Sequence, residues 1–169
     1  MINDNKSPDL INLTKPIYFS STDSYSDSRG EIWTTYTSIN FSLDVNHVKV
    51  NTNKPGVFRG FHADSKTTKI ASSLRGMILA FIVWPDNSKY ETFELCPSRH
   101  SILIIPKGFY NGFLSLEDSL YIYHLNYSGD YADQDEQSTL LLEESCVNLE
   151  EFYSTLGDLH LIRSKRDSP

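Results

Sequence analysis

The chain has 169 residues, 39 % of them hydrophobic and 22 % charged, which suits one globular domain over 1–169 and excludes a disordered tail. Fifteen Lys plus Arg stand against 22 Asp plus Glu, and the net charge of -7 argues against a broad nucleic-acid surface. The polar start MINDNKSPDLINL lacks a signal-peptide pattern, and the longest apolar runs are too short to span a bilayer, so a soluble, cytoplasmic protein without a membrane partner is expected.

Aromatic residues reach 12 %, with 10 Tyr and 9 Phe, a composition that favours β-structure. The turn Asp27–Gly30 leads into a β-branched and aromatic run over Glu31–Thr37. Val45–Val50 alternates apolar and polar residues and ends at the turn Asn53–Gly56. Strands are then expected over Val57–His62, Lys69–Ser72, Met77–Val83 and Tyr90–Leu95, with Pro85–Ser88 as the loop between the last two. Ser101–Ile105 is a continuous apolar run of buried-strand length, stopped by Pro106-Lys107-Gly108, and Ser119–Leu125 alternates again. Short strands at such spacing predict an all-β sandwich, jelly roll or barrel. Further on, Asp133–Glu144 is acidic, Val147–Leu156 suits one or two helical turns, and Leu159–Pro169 is basic without a clear period. Cys96 and Cys146 lack the spacing of a zinc site or disulfide scaffold and read as reduced thiols.

Of the five histidines, His47, His62, His100, His124 and His160, only His62 has suggestive neighbours. It follows Arg59-Gly60-Phe61, precedes Asp64, and is expected to share a hairpin with Lys66 and Lys69. A neutral-range base beside an acid and two cations makes a candidate charged site. A metal site would need about three converging imidazole or carboxylate ligands. Asp64 stands where a His-x-His pair would have its second imidazole, and Asn111 where another histidine would be expected, so no metal is expected.

Asp27-x-Arg29-Gly30, Gly56-Val-Phe-Arg59-Gly60-Phe-His62, Lys69, Gly76 and Pro106-x-Gly108-Phe109 resemble, in order and spacing from about residue 16 onward, the dTDP-4-dehydrorhamnose 3,5-epimerase family of cupins. Within it, Arg29-Gly-Glu31-Ile-Trp-Thr, His62-x-Asp64-x-Lys66-Thr-x-Lys69 and Gly129-Asp-Tyr131-x-Asp-x-Asp-Glu136-Gln are similar to epimerases acting on GDP-4-keto-heptoses in capsule synthesis. The resemblance implies a cupin jelly roll with a short, partly helical C-terminal segment. It also implies a homodimer and inversion of C3, C5 or both in a nucleotide-diphosphate 4-keto sugar, with no cofactor. His62 then takes the place of the catalytic base and Asp167 that of its dyad partner, because Ser164-Lys-Arg-Asp167 resembles the family's terminal motif. Tyr131 falls where a tyrosine is the opposing acid, with Tyr123 and Tyr127 as alternatives, and Lys69 falls near the developing enolate. Arg29, Glu31, Arg59, Asp64 and Asn111 are the implied substrate contacts, Arg29 reaching in from a neighbouring subunit.

These residue types suit the chemistry. Removing a proton next to a ketone calls for a base that is neutral near pH 7, and a cation at the carbonyl oxygen favours the enolate. Inversion needs a proton donor on the opposite face. The chain departs from the family pattern at Asn111, where a second site histidine is usual, and at Val83-Trp84-Pro85-Asp86, where a phosphate-binding Arg is missing. A cupin that binds a sugar nucleotide without turning it over is one alternative these departures raise. A 3,4-ketoisomerase is another, disfavoured because Asp64 replaces the second His of the pair such enzymes carry.

Overall fold

The computed structural model describes residues 13–19, 24–37, 43–127 and 137–169. Two five-stranded antiparallel sheets face each other. The first carries, in spatial order, β1 (Ile17–Phe19), β9 (Ile102–Ile105), β6 (Thr68–Arg75), β11 (Ser119–Asn126) and β4 (His47–Asn53). The second carries β12 (Gln137–Thr139), β5 (Phe58–Asp64), β10 (Tyr110–Ser115), β7 (Ile78–Val83) and β8 (Tyr90–Leu95). A separate hairpin pairs β2 (Ser24–Asp27) with β3 (Gly30–Trp33). This is the expected all-β jelly roll of cupin type.

Three apolar layers explain the sequence pattern. Between the sheets lie Ala71, Leu103, Ile105 and Tyr121 from one side and Ile78, Ala80, Ile82, Leu95 and Phe113 from the other. The outer face of the second sheet is covered by Leu142, Val147, Phe152 and Leu156, which pack on Phe58, Phe61, Phe81, Val83 and Leu114. Outside the first sheet, Leu13, Ile17, Phe19 and Leu43 close over Ile70, Ile102 and Ile104. Strands β7 and β9 are therefore buried on both faces. That is why they read as continuous apolar runs where an alternating pattern would mark a half-exposed strand.

The helical turns expected over Val147–Leu156 form α1 (Leu149–Leu156), capped by Asn148, whose side chain accepts from the backbone amides of Glu150 and Glu151. Strand β10 lies beyond the expected series. Its opening, Tyr110-Asn111-Gly112, is rich in residues that disfavour strands, yet β5 on one side and β7 on the other hold it in place. A further correction concerns His62, Lys66 and Lys69. Strands β5 and β6 belong to opposite sheets, so the chain crosses the sandwich around residues 65–67 and forms no hairpin there. His62 and Lys69 consequently approach the same space from facing walls.

Candidate active site

At one end of the sandwich the space between the sheets opens into a cavity of about 310 Å³. Strand β5 supplies Arg59, His62 and Asp64, β10 supplies Asn111, β6 supplies Lys69, and β11 supplies Tyr121 and Tyr123. Residues three apart on a regular strand point to opposite faces, yet Arg59 and His62 both line the cavity. A bulge in β5 makes this possible: Asn111 pairs with His62 and Phe113 with Arg59, so three steps on β5 match two on β10. The bulge centres on Gly60, at φ +126°, where a Cβ would sit 2.5 Å from the Cα of Gly112. Only glycine fits there. The same irregularity leaves Phe58 and Phe61 both on the outer, aromatic side.

The C-terminal segment completes the site. Ile162 bridges to Val57, just before β5, with Phe58 N–H donating to Ile162 O at 2.9 Å and Ile162 N–H donating to Gly56 O at 2.9 Å. Thus anchored, the tail makes a tight turn over Lys165–Asp167 that delivers the buried Asp167 to the imidazole, with His62 Nε2 3.0 Å from Asp167 Oδ1. Ser164 Oγ donates to the other carboxylate oxygen at 2.8 Å. A carboxylate can only accept, and Oδ1 is buried with no other partner among the described residues, so the tautomer assigned to His62 carries its proton on Nε2 and its basic lone pair on Nδ1. Thr139 Oγ1 lies 3.4 Å from Nδ1 and itself accepts from Arg166 Nε at 3.4 Å.

Electrostatics keep this imidazole neutral. Burial pushes the His62 pKa below its ordinary value; Asp167 opposes that, while Arg166 and Lys69 add to it. Burial also brings the Lys69 ammonium down to about 8, despite the opposing pull of Asp64. Lys69 Nζ donates to Asn111 Oδ1 at 3.4 Å. Arg59 is fixed from behind: its Nε donates to Asn53 Oδ1 at 2.9 Å, and Asn53 Nδ2 donates to the buried Ser119 Oγ at 3.2 Å. Burial pushes the Tyr121 phenol above its ordinary range, so that it stays a neutral donor.

Of the residues singled out in the sequence, the fold thus gathers His62, Asp167, Lys69, Arg59, Asp64 and Asn111 around one cavity. Tyr131 lies outside the described residues. Of the alternative tyrosines, Tyr123 lines the cavity, while Tyr127 packs edge-on against His47. Arg29 and Glu31 sit on the β2–β3 hairpin, where Arg29 pairs with Asp27 and Glu31 faces His100 at 3.4 Å, and neither lines this cavity within one chain. Asn51, Tyr121 and Arg166 also line it and were not expected. Asn51 and Tyr121 share the alternation of β4 and β11 with cavity residues, a signal that becomes usable once the sheet order is known.

The sequence profile of the dTDP-4-dehydrorhamnose 3,5-epimerase family matches residues 14–168. The chain belongs to that family. Solved structures agree in fold. A dTDP-4-dehydrorhamnose 3,5-epimerase from Sulfolobus tokodaii is 26 % identical over 85 % of this chain and 82 % of its own, with a TM-score of 0.70. The RmlC epimerase of Mycobacterium tuberculosis is 18 % identical over 94 % of this chain and 84 % of its own, with a TM-score of 0.75. A 3'-monoepimerase from Streptomyces bikiniensis, in complex with dTDP-quinovose, is 20 % identical over 90 % of this chain and 80 % of its own, with a TM-score of 0.71. No curated protein is similar enough in sequence to count as a relative. Among the described residues, no helix is long and apolar enough to cross a membrane.

Proposed function

We propose that this protein epimerises a nucleotide-diphosphate 4-keto sugar by removing and returning a proton next to the ketone. The observation that carries the reading is the His62–Asp167 pair, 3.0 Å apart at the wall of a cavity that also holds Lys69. His62, kept neutral by burial, takes the α-proton; Asp167 stabilises the imidazolium that results. Lys69 faces the ketone oxygen and stabilises the enolate, and Arg59 holds the diphosphate. Tyr131 returns a proton from the opposite face, so that the carbon inverts. Asp64 and Asn111 contact the sugar.

Two finer features belong to the same reading. The first is a homodimer, in which the hairpin carrying Arg29 and Glu31 reaches the partner's cavity. Exposed Tyr25 and Ile32 on that hairpin, and exposed Val48 and Val50 on edge strand β4, support it. The second is the substrate. The segments around Arg29, His62–Lys69 and Tyr131 favour a GDP-4-keto-heptose over a dTDP-hexose, and hence a cytoplasmic step in making surface polysaccharide such as capsule or lipopolysaccharide. The lost phosphate-binding Arg and the amide at Asn111 favour faster exchange at C3 than at C5.

Incubation in D2O with a dTDP-4-keto-6-deoxyhexose and, separately, a GDP-4-keto-heptose tests the chemistry and the choice of substrate, and sedimentation at micromolar concentration tests the dimer. Deuterium at C3 ahead of C5 is expected, with the GDP sugar the better substrate. Tyr131→Phe should still admit deuterium, with retained configuration. Tight binding without any exchange would overturn the epimerase reading.

A further inference from the structure

Asn111 stands between the two walls of the cavity, and its amide has a determined orientation. Its Nδ2 lies 2.6 Å from His62 O and 3.4 Å from Phe109 O. Carbonyl oxygens only accept, so the nitrogen must face them. The amide oxygen is thereby turned towards β6, where it accepts from Lys69 Nζ at 3.4 Å. The backbone reinforces this arrangement, because Asn111 is paired with His62 on β5 and with Ile82 on β7. One amide therefore ties the strand carrying the imidazole to the ammonium that approaches from the opposite sheet.

We propose that Asn111 is a positioning residue that holds the Lys69 ammonium in place and in its charged form, at a fixed offset from His62. The proposal rests on the epimerase reading for its consequence in catalysis, but not for the interaction itself. An amide suits the task because it offers an acceptor that does not titrate. An imidazole at this place would add a third ionisation between His62 and Lys69. A lysine confined among protein atoms keeps its proton only with help from acceptors and negative charge. Around Lys69 these are Asp64 from β5 and the Asn111 oxygen from β10. Lys49 from β4 opposes them, His62 with Asp167 faces it across the cavity beside Arg166, and β11 presents the phenols of Tyr121 and Tyr123.

The test reads Lys69 directly. Protein labelled with 13C at lysine Cε is titrated by NMR, and the Lys69 resonance is identified by its loss in Lys69→Arg. In the unaltered protein Lys69 should titrate near 8. Asn111→Leu, similar in size but without an acceptor, should lower that midpoint by about one pH unit, a tenfold loss of proton affinity. Asn111→Asp, which places a negative charge at the same point, should raise it by a similar amount. The alkaline limb of deuterium exchange into the 4-keto sugar should follow in the same directions. A purely structural role would lower activity in both variants and leave the limb where it was. If Asn111→Leu does not fold, Asn111→Ser and Asn111→Asp give the same contrast. An unmoved Lys69 midpoint in the folded variants overturns the proposal, as does a midpoint that moves while the alkaline limb stays. A midpoint that moves in a protein exchanging no deuterium with either sugar upholds the interaction and overturns the epimerase reading instead.

Discussion

On its outer face, strand β5 turns Phe58 and Phe61 towards Phe81 and Phe152, with ring centroids 5.3 Å apart for Phe58 and Phe152 and 6.4 Å for Phe61 and Phe81. On its inner face the same seven residues turn Arg59, His62 and Asp64 to a cavity that also encloses Lys69 and Asp167. The outer face gains from every contact, since aromatic edge-to-face packing adds to the burial of apolar area. The inner face gathers groups whose ionised forms are destabilised by burial, which lowers the pKa of both His62 and Lys69. Stability and chemistry are thus separated by the thickness of one strand, so substitutions on the two sides should have opposite signatures.

The largest effect is expected on the inner side. His62→Asn should slow solvent deuterium uptake by about 10²–10⁴-fold, while thermal unfolding stays close to that of the unaltered protein. Normal exchange in the folded variant would remove His62 as the base. On the outer side, Phe152→Ala should cost about 3–5 kcal/mol of stability, seen as an earlier urea midpoint. Activity per folded molecule should hardly change. A loss of kcat without a loss of stability would break the separation.

Lys69→Met sharpens the comparison because its two consequences run in opposite directions. Exchange should fall to background, while stability at pH 7 rises by about 3 kcal/mol, the cost of enclosing a charged amine whose pKa is drawn down to about 8. In the unaltered protein that cost is present in full below pH 8 and fades between pH 8 and the ordinary lysine range, as the folded state gives up its proton first. Unfolding free energies of the two proteins should therefore converge as pH rises through that window. The same groups predict a bell-shaped rate profile. Activity should fall on the acid side below pH 6.5, where His62 takes a proton, and on the alkaline side near 8, where Lys69 loses one. The smallest effect should come from Ser164→Ala, which removes the hydroxyl donor to Asp167. It should cost about 1 kcal/mol, read as a modest fall in kcat with KM unchanged.

Much of this division can be read in the sequence and some of it cannot. The apolar runs over Met77–Val83 and Ser101–Ile105 announce strands covered on both sides, and they are so covered. Strand β10 escapes such reading because Asn111 and Gly112 suit a loop by propensity, and only the close approach of Phe61 and Arg59 O explains the glycine. The triad of Arg59, Gly60 and His62 is legible as a motif. Its geometry is not, since a bulge has no periodicity of its own and a regular strand would have sent Arg59 and His62 to opposite faces. The placing of Lys69 opposite His62 also depends on a crossing between sheets that the six intervening residues do not reveal.

The bridge between Ile162 and Val57 sets the order in which the cavity can be completed during synthesis. Every strand of both sheets precedes residue 140 in the chain, whereas Asp167 arrives with the segment pinned by that bridge. A ribosome that has produced both sheets has therefore produced a barrel whose imidazole still lacks its carboxylate. Premature termination after α1, or a protease cut between α1 and Ile162, would leave the strands intact and the histidine unassisted. A chain ended after α1 would also lose Leu159 and Leu161 from the outer apolar layer, so the histidine's missing carboxylate would come with a weakened fold.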